Sequence, residues 1–197
     1  MSSGASFLSP SITLSFNLNE LRTEKYCFID DCASNRPRFK MTRSEGKLIQ
    51  LYKYGQYKEI AASIEFRSQT STIVHIPYFK LNRQEMQEED FHTLPERRND
   101  FRCSLKLNWS SSFHWVMESF NRSVKVSTII LLRSSCGLTR PLQLVDSNSE
   151  ITVATADTTD NLQYVVIIND SMIEYEVPIL VSAILSNSGD AIRDFFN

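Results

Sequence analysis

The residues best suited to chemistry in this sequence are five basic side chains within a short stretch of the N-terminal half. They are Arg36, Arg38, Lys40, Arg43 and Lys47. Single uncharged residues separate the first three, so in an extended chain these three cations lie on one face. Such a face binds phosphates of nucleic acid or of anionic lipids, and each cation near an anionic membrane contributes about 1 kcal/mol. The spacing therefore predicts a basic strand face that binds an anionic partner.

Two other roles fit the same basic strand face. It can dock the acidic half of a second copy of the chain, in a head-to-tail contact that builds an open assembly. It can also be a solvated edge strand whose charges prevent aggregation. Phe39 is the aromatic residue beside these cations, so base stacking has little support from the sequence.

The charges are unevenly distributed along the chain. Residues 1–80 hold eleven Lys and Arg against seven Asp and Glu, residues 81–100 hold three against six, and residues 101–197 hold seven against ten. From Pro141 to Ile192 there is no Lys or Arg, while eight carboxylates occur. The net charge is −2, and we expect an electrostatically polarised molecule.

The catalytic motifs that have strict spacing rules are absent. Five scattered glycines supply neither a Walker loop nor a dinucleotide fingerprint, and neither G-x-S-x-G nor H-E-x-x-H occurs. We therefore predict no enzymatic activity, no catalytic residue, no cofactor and no small-molecule substrate. An enzyme built on His75, His92 and His114 is the least favoured alternative, because nothing in the sequence links these histidines.

No residues in the sequence have the spacing of a metal site. Cys27 and Cys32 are separated by four residues, and no second Cys or His pair at metal spacing follows them. Asp30 and Asp31 are adjacent, so on a continuing strand they point to opposite faces, and a solvated turn is the simpler account. The sequence predicts no bound metal.

The sequence carries no pattern for export or for membrane insertion. Residues Met1–Leu18 lack a basic start and a continuous apolar run. The longest apolar candidate near the C-terminus, Ile179–Leu185, is far shorter than the roughly 20 residues of a membrane span. We predict a cytoplasmic protein without a transmembrane segment, virion-associated if it is viral, in which the cysteines are reduced.

Period-2 alternation and runs of β-branched residues predict about ten short strands. The clearest strand covers Ile12–Leu18. The others are Tyr26–Ile29, Phe39–Met41, Leu48–Tyr54, Ile60–Phe66, Thr72–Phe79, Phe101–Leu107, Val124–Leu132, Gln143–Val145, Ile151–Ala154, Gln163–Ile168 and Ile173–Leu185.

Two helical segments are predicted among these strands. Apolar residues at helical spacing, from Phe113 to Phe120, follow a Ser run that can supply an N-cap. Asp190 is predicted to cap a final helical turn that carries Ile192.

Together these elements indicate a mainly-β fold. We expect a single domain over residues 1–197, an antiparallel β-sandwich or jelly roll, or a barrel, with one or two short helices. A polar, acid-rich excursion at about 82–100 separates two β blocks. The alternative is an α+β fold with a large twisted antiparallel sheet.

The function that these features favour is structural. We predict a non-enzymatic assembly protein, of which a viral matrix or coat protein is an example, that forms a homo-oligomer and contacts an anionic partner through the basic strand face. The anionic partner is nucleic acid or a membrane surface. The alternative is an intracellular accessory module of the viral suppressor or movement type that binds nucleic acid or a protein.

Overall fold

Twelve strands and two α-helices make up the described part of the chain. The computed structural model describes residues 11–45, 47–55, 59–67, 72–76, 91–93, 103–106, 112–117, 142–158, 163–194 and 196. The strands are β1 (Ser11–Asn17), β2 (Tyr26–Asp31), β3 (Arg36–Ser44), β4 (Leu48–Lys53), β5 (Ile60–Phe66), β6 (Thr72–His75), β7 (Phe91–Thr93), β8 (Cys103–Lys106), β9 (Ser112–Met117), β10 (Leu142–Asp146), β11 (Thr152–Thr158) and β12 (Gln163–Asn169). The helices are α1 (Leu18–Glu24), a 3₁₀ helix (Asp170–Tyr175) and α2 (Glu176–Asp194).

The strands form one antiparallel sheet in the order β6-β5-β4-β3-β2-β1-β12-β11-β10-β9-β8-β7. The sheet is therefore two six-strand meanders joined where β1 pairs with β12. That pairing runs from Ser11 opposite Asn169 to Asn17 opposite Gln163. At its far end the rings of Phe16 and Tyr164 stack with their centroids 5.2 Å apart.

Alternation along the strands separates a buried inner face from an outer face. In β12 the side chains of Tyr164, Val166 and Ile168 are buried, and in β1 those of Leu14 and Phe16 are buried, while the residues between them are partly exposed. Successive strand residues point to opposite faces, so the period-2 pattern gives each strand one apolar side. These apolar sides form the core.

Helix α2 lies against the inner face of the sheet. The six consecutive residues Ile179–Ile184 are all buried, and α2 packs against β5 in one meander and against β8, β11 and β12 in the other. A helix that is buried on every side needs neighbours on every side. The sheet therefore curves around α2. Pro178 is in the first turn of α2, where its missing N–H is not needed.

One buried hydrogen bond ties α2 to the second meander. The indole N–H of Trp115, on β9, donates to the hydroxyl of Ser182 at 3.0 Å, and that hydroxyl donates to the carbonyl of Ile179 at 2.8 Å. Both Trp115 and Ser182 are fully buried. The hydroxyl therefore satisfies the only polar group of a large core side chain.

Side-chain and backbone caps define the short helix α1. Asn17 accepts a hydrogen bond from the backbone N–H of Asn19 at 2.8 Å, and the helix ends at Lys25, which has a left-handed φ of 62°. The side chains of Leu18 and Leu21 are buried on the inner side of the helix. Other non-glycine residues with positive φ are Asn35, Lys47 and Glu150.

The predicted mainly-β class with antiparallel strands is confirmed. The layer that covers the inner face is α2, with 19 residues, where a sandwich would have a second sheet. The segment Ile173–Leu185, predicted as a strand, is helical instead. Its apolar run has no period because α2 is buried all round, and short apolar runs do not distinguish such a helix from a buried strand.

The predicted helix from Phe113 to Phe120 is also wrong where the structure describes it. Residues Ser112–Met117 form β9, which pairs with β8 and β10. Phe113 and Trp115 are both buried, so the side that faces the core has a period of two. Pairing with two neighbouring strands overrides the helical spacing of the apolar residues.

Some predictions fall partly or wholly outside the described residues. The strand Val124–Leu132 lies outside them, as does most of the excursion at about 82–100, of which Phe91–Thr93 forms β7. Within the helices that are described, no segment is long and apolar enough to cross a membrane. The assignment of residues 1–197 to one domain stays a prediction.

We expect Ser182→Ala to lower the free energy of unfolding by about 1–3 kcal/mol, because it leaves the buried indole N–H of Trp115 without an acceptor. Ser186→Ala, in the same helix, is the matched control, since the buried hydroxyl of Ser186 has no hydrogen-bond partner among the residues that the structure describes. Its removal should leave stability unchanged or slightly higher. Urea unfolding followed by far-ultraviolet circular dichroism measures both variants, and equal losses in the two would contradict this account.

Candidate functional site

Strand β3 carries four of the five basic residues that the sequence singled out. Arg36, Arg38, Lys40 and Arg43 are on β3, and Lys47 is in the turn that leads to β4. Phe39 and Met41 are buried on the inner face, so alternation assigns Lys40 to the outer face. The structure gives these cations different environments.

Arg38 forms a bidentate ion pair with Glu176, the first residue of α2. Its Nε and Nη2 atoms donate to the two carboxylate oxygens, and the Nη2–Oε2 distance is 3.0 Å. A β-bulge directs the Arg38 side chain towards α2 and out of the row of cations. Ile29 pairs with Phe39 and Asp30 pairs with Pro37, so Arg38 is the extra residue of the bulge. The row of three cations is interrupted at Arg38, which has a structural partner that the sequence did not predict.

Burial raises the pKa of the Glu176 carboxyl above its ordinary value, although the hydrogen bonds and positive charge of Arg38 act in the opposite direction. The Glu176 side chain is 12% exposed and the Arg38 side chain is 36% exposed. The charge of Arg38 therefore offsets part of the desolvation cost of the Glu176 carboxylate, which is largely removed from water.

Lys40 lies among aromatic rings on the outer face. Its Nζ atom is 4.6 Å from the centre of the Tyr26 ring, a cation–π distance. Tyr26 and Phe28, on β2, meet edge to face with centroids 5.9 Å apart, and Phe28 meets Tyr54, at the end of β4, at the same distance. We call Tyr26, Phe28, Lys40 and Tyr54 the aromatic face.

The aromatic face is accessible to solvent. Tyr26 is 41% exposed and Tyr54 is 48% exposed, and Phe28 and Lys40 are half-buried. Residues at outer positions of the flanking strands are small or polar: Thr13 and Ser15 on β1 and Ser63 on β5. The concentration of rings is thus local to β2, β3 and β4.

The remaining predicted cations are at the two ends of β3. Arg36 is exposed and pairs in register with Asp31. Arg43 donates to the carbonyl of Arg22 at 3.1 Å and lies 5.8 Å from the centre of the Phe196 ring. Lys47 is exposed, and its left-handed φ of 62° places it at a tight turn. Arg43 therefore links β3 to α1 and to the end of α2, and Arg36 and Lys47 present charge to solvent.

The aromatic face is the part of the site that sequence reasoning missed. Phe39, the aromatic residue noted beside the cations, is buried at 1% exposure. The exposed rings come from β2 and from Tyr54, which follows β4, and the contact of Tyr54 with Phe28 crosses β3. The available signal was the alternation of Tyr26 with Phe28 and of Tyr52 with Tyr54.

The acidic pair Asp30-Asp31 closes the turn between β2 and β3. The Asp31 carboxylate accepts hydrogen bonds from the backbone N–H of Ala33 at 2.9 Å and from the hydroxyl of Ser34 at 3.0 Å. The Ala33 hydrogen bond is the main reason why the pKa of Asp31 is lowered. Asp31 therefore acts as a turn cap.

The three histidines are on three different strands. His75 is exposed on β6, and the register sets His92 of β7 and His114 of β9 each opposite Ser104. Cys27 is a buried free thiol whose pKa is raised mainly by burial, and Cys32 is an exposed free thiol. Among the residues that the structure describes, no three His, Cys, Asp or Glu side chains are grouped so as to hold a metal ion.

Comparisons with known proteins identify no family. No family model and no curated protein sequence matches the chain. A crystal structure of a protein from Arabidopsis thaliana is similar at a TM-score of 0.40 and 9% identity, covering 88% of this chain and 91% of that chain. A likeness this loose carries no argument about the site.

We expect Arg38→Met to lower the free energy of unfolding by about 2 kcal/mol at pH 7, because it leaves the Glu176 carboxylate without its partner. The figure is below the value for a fully buried pair, since Arg38 is partly exposed. Burial already raises the pKa of the Glu176 carboxyl in the folded protein. The contribution of this group to the free energy of unfolding is therefore favourable when it is protonated, and this contribution is lost as the pH rises through the raised pKa. The loss caused by Arg38→Met should therefore shrink as the pH falls towards about 4.

Urea unfolding at a series of pH values measures this difference between the wild type and Arg38→Met. Adding Glu176→Gln to Arg38→Met is the control, because the double variant has no carboxyl group to titrate at this position. Its difference from the single variant Glu176→Gln, which also lacks that carboxyl group, should not vary with pH. A loss of the same size at pH 4 and pH 7 in the single variant would show that the Glu176 charge is not its cause.

Proposed function

We propose that this protein is a non-enzymatic binding and assembly protein that holds an anionic partner on the outer side of β2, β3 and β4. The observation that carries the proposal is the position of Lys40, with its ammonium group 4.6 Å from the Tyr26 ring, in a solvent-accessible group of rings. A cation fixed beside rings offers both charge and an apolar surface to one ligand.

Further cations lie on the same strands, at inner-face positions. Arg36 pairs in register with Asp31, which pairs with the buried Leu14, and Lys53 pairs with the buried Phe39. Both side chains are exposed to solvent. Arg38 is committed to Glu176, so the anion-binding role passes from the predicted row of three to Lys40, while Arg36 and Lys47 present their charges at the two ends of β3. Cations that are spread around a surface attract anionic ligands over a distance of about 10 Å at moderate salt.

Self-association is the second part of the proposal. The segment without Lys or Arg contributes β10, β11, β12 and most of α2, and its exposed carboxylates include Glu150, Asp170 and Glu174. Glu176 of the same segment already pairs with β3 within the chain. The exposed carboxylates provide the acidic side of a head-to-tail contact with the exposed cations of a second copy. The more specific identity of a viral matrix or coat protein stays a prediction.

We expect larger species in sedimentation velocity at about 50 mM salt than at about 500 mM salt, because salt screens contacts between exposed charges. Combining Asp170→Asn with Glu174→Gln should reduce the association at low salt. A monomer at every salt concentration would contradict the assembly role and favour the alternative, an accessory module that binds its partner as a single chain.

We expect Lys40→Glu to weaken binding of an anionic probe by about tenfold or more, since it replaces a phosphate contact by a repulsion. Arg67→Glu is the matched control, because it makes the same change of charge at the exposed end of β5, where Arg67 pairs with Glu65. Fluorescence anisotropy with labelled polyphosphate and with a labelled oligonucleotide measures both variants. The proposal fails if neither probe binds the wild type, or if Lys40→Glu and Arg67→Glu bind equally well.

A further inference from the structure

The aromatic face has an arrangement that matches the chemistry of nucleobases as well as that of phosphates. Its rings project from β2 and β4, on either side of Lys40 on β3. Phe28 contacts both tyrosines, with centroids 5.9 Å from each. The three rings thus form a continuous series, with two rings on β2 and the third on Tyr54, directly after β4.

The rings of the aromatic face are not part of the hydrophobic core. The inner face of the same strands is filled by Cys27, Ile29, Phe39, Met41 and Leu51, all of which are buried. An antiparallel sheet with one solvated face normally has polar residues on that face. Tyr26 and Tyr54, at 41% and 48% exposure, keep a large part of their surface in water.

Aromatic side chains on the open face of an antiparallel sheet can stack unpaired bases. Every base has a π-face, so stacking on Tyr or Phe is tolerant of sequence, and nearby Lys and Arg side chains bind the backbone. On the aromatic face, Lys40 supplies a charge at the level of the rings.

The central cation also argues against a protein partner at this face. The buried cores of protein interfaces are depleted of Lys relative to the rest of the surface. Lys40 lies between the rings of β2 and β4, where such a core would be. A phosphate backbone instead supplies an anion for each base that stacks.

From these observations we infer that the aromatic face binds single-stranded nucleic acid, with bases stacked on Tyr26 and Tyr54 and the backbone held by Lys40. The inference rests on the proposed function and specifies its anionic partner. Double-stranded nucleic acid does not fit, because its bases are stacked on one another and leave no free π-face for the tyrosines.

The test compares strands that share a backbone but differ in their bases. A labelled oligothymidylate, an abasic oligomer with the same number of phosphates and a duplex of the same length are titrated with the full chain by fluorescence anisotropy. We expect the oligothymidylate to bind at least tenfold more tightly than the abasic oligomer or the duplex. An oligouridylate of equal length shows whether RNA or DNA is preferred.

Variants of the two tyrosines locate the stacked bases. Tyr26→Ala and Tyr54→Ala should each weaken oligothymidylate binding by about tenfold while leaving abasic binding nearly unchanged. Tyr26→Phe and Tyr54→Phe should bind almost as the wild type does, because the ring is kept. Ile173→Ala is the control, as Ile173 has a similar exposure of 40% outside the aromatic face. Ultraviolet crosslinking followed by peptide mass spectrometry should identify Tyr26 or Tyr54.

Three results would overturn the inference, and they separate it from the proposed function. Equal binding of the thymidylate and abasic strands, still weakened by Lys40→Glu, would leave an anion-binding protein that does not stack bases. Binding of no anionic probe would remove both proposals. Alanine variants that keep oligothymidylate affinity but dissociate an oligomer would assign the aromatic face to contacts between copies of the chain.

Discussion

The enclosure of α2 is the constraint on which the rest of the structure depends. Six consecutive residues of this helix are buried, and a flat sheet can cover only one side of a helix. The sheet must therefore curve, and its two meanders must be joined through β1 and β12. The chain enters the interior at Glu176, so a carboxylate leaves water at that point and needs the guanidinium that the bulge of β3 supplies.

Local sequence patterns predict most of this fold, and they fail where burial is complete. Strands such as β1, β5 and β12 have one solvated face, so their alternation can be read directly from the residues. Helix α2 has no solvated face over Ile179–Ile184 and therefore shows no helical period there. Strand β9 carries apolar residues at helical spacing as well, and its conformation is decided by pairing with β8 and β10.

The candidate site was predictable in its charges and not in its contacts. The types and spacing of Arg36 and Lys40 can be read from the sequence, and both are on β3. The partner of Arg38 is 138 residues away, and no local pattern contains that information. Tyr54 meets Phe28 diagonally across β3, because the register sets Tyr52 opposite Lys40 and Lys40 opposite Phe28. Contacts between residues distant in sequence depend on the completed fold.

The pairing of β1 with β12 also determines the order in which the protein can be completed during synthesis. The first meander is made early, but both β12, which pairs with β1, and α2, which covers the inner face, are made near the end of the chain. Until then Leu14, Met41 and Ile64 have no helix to cover them. Pairing between distant segments is slow, and exposed apolar strands aggregate. The apolar inner sides of β1 to β6 are therefore synthesised before β12 and α2, with which they share one hydrophobic core.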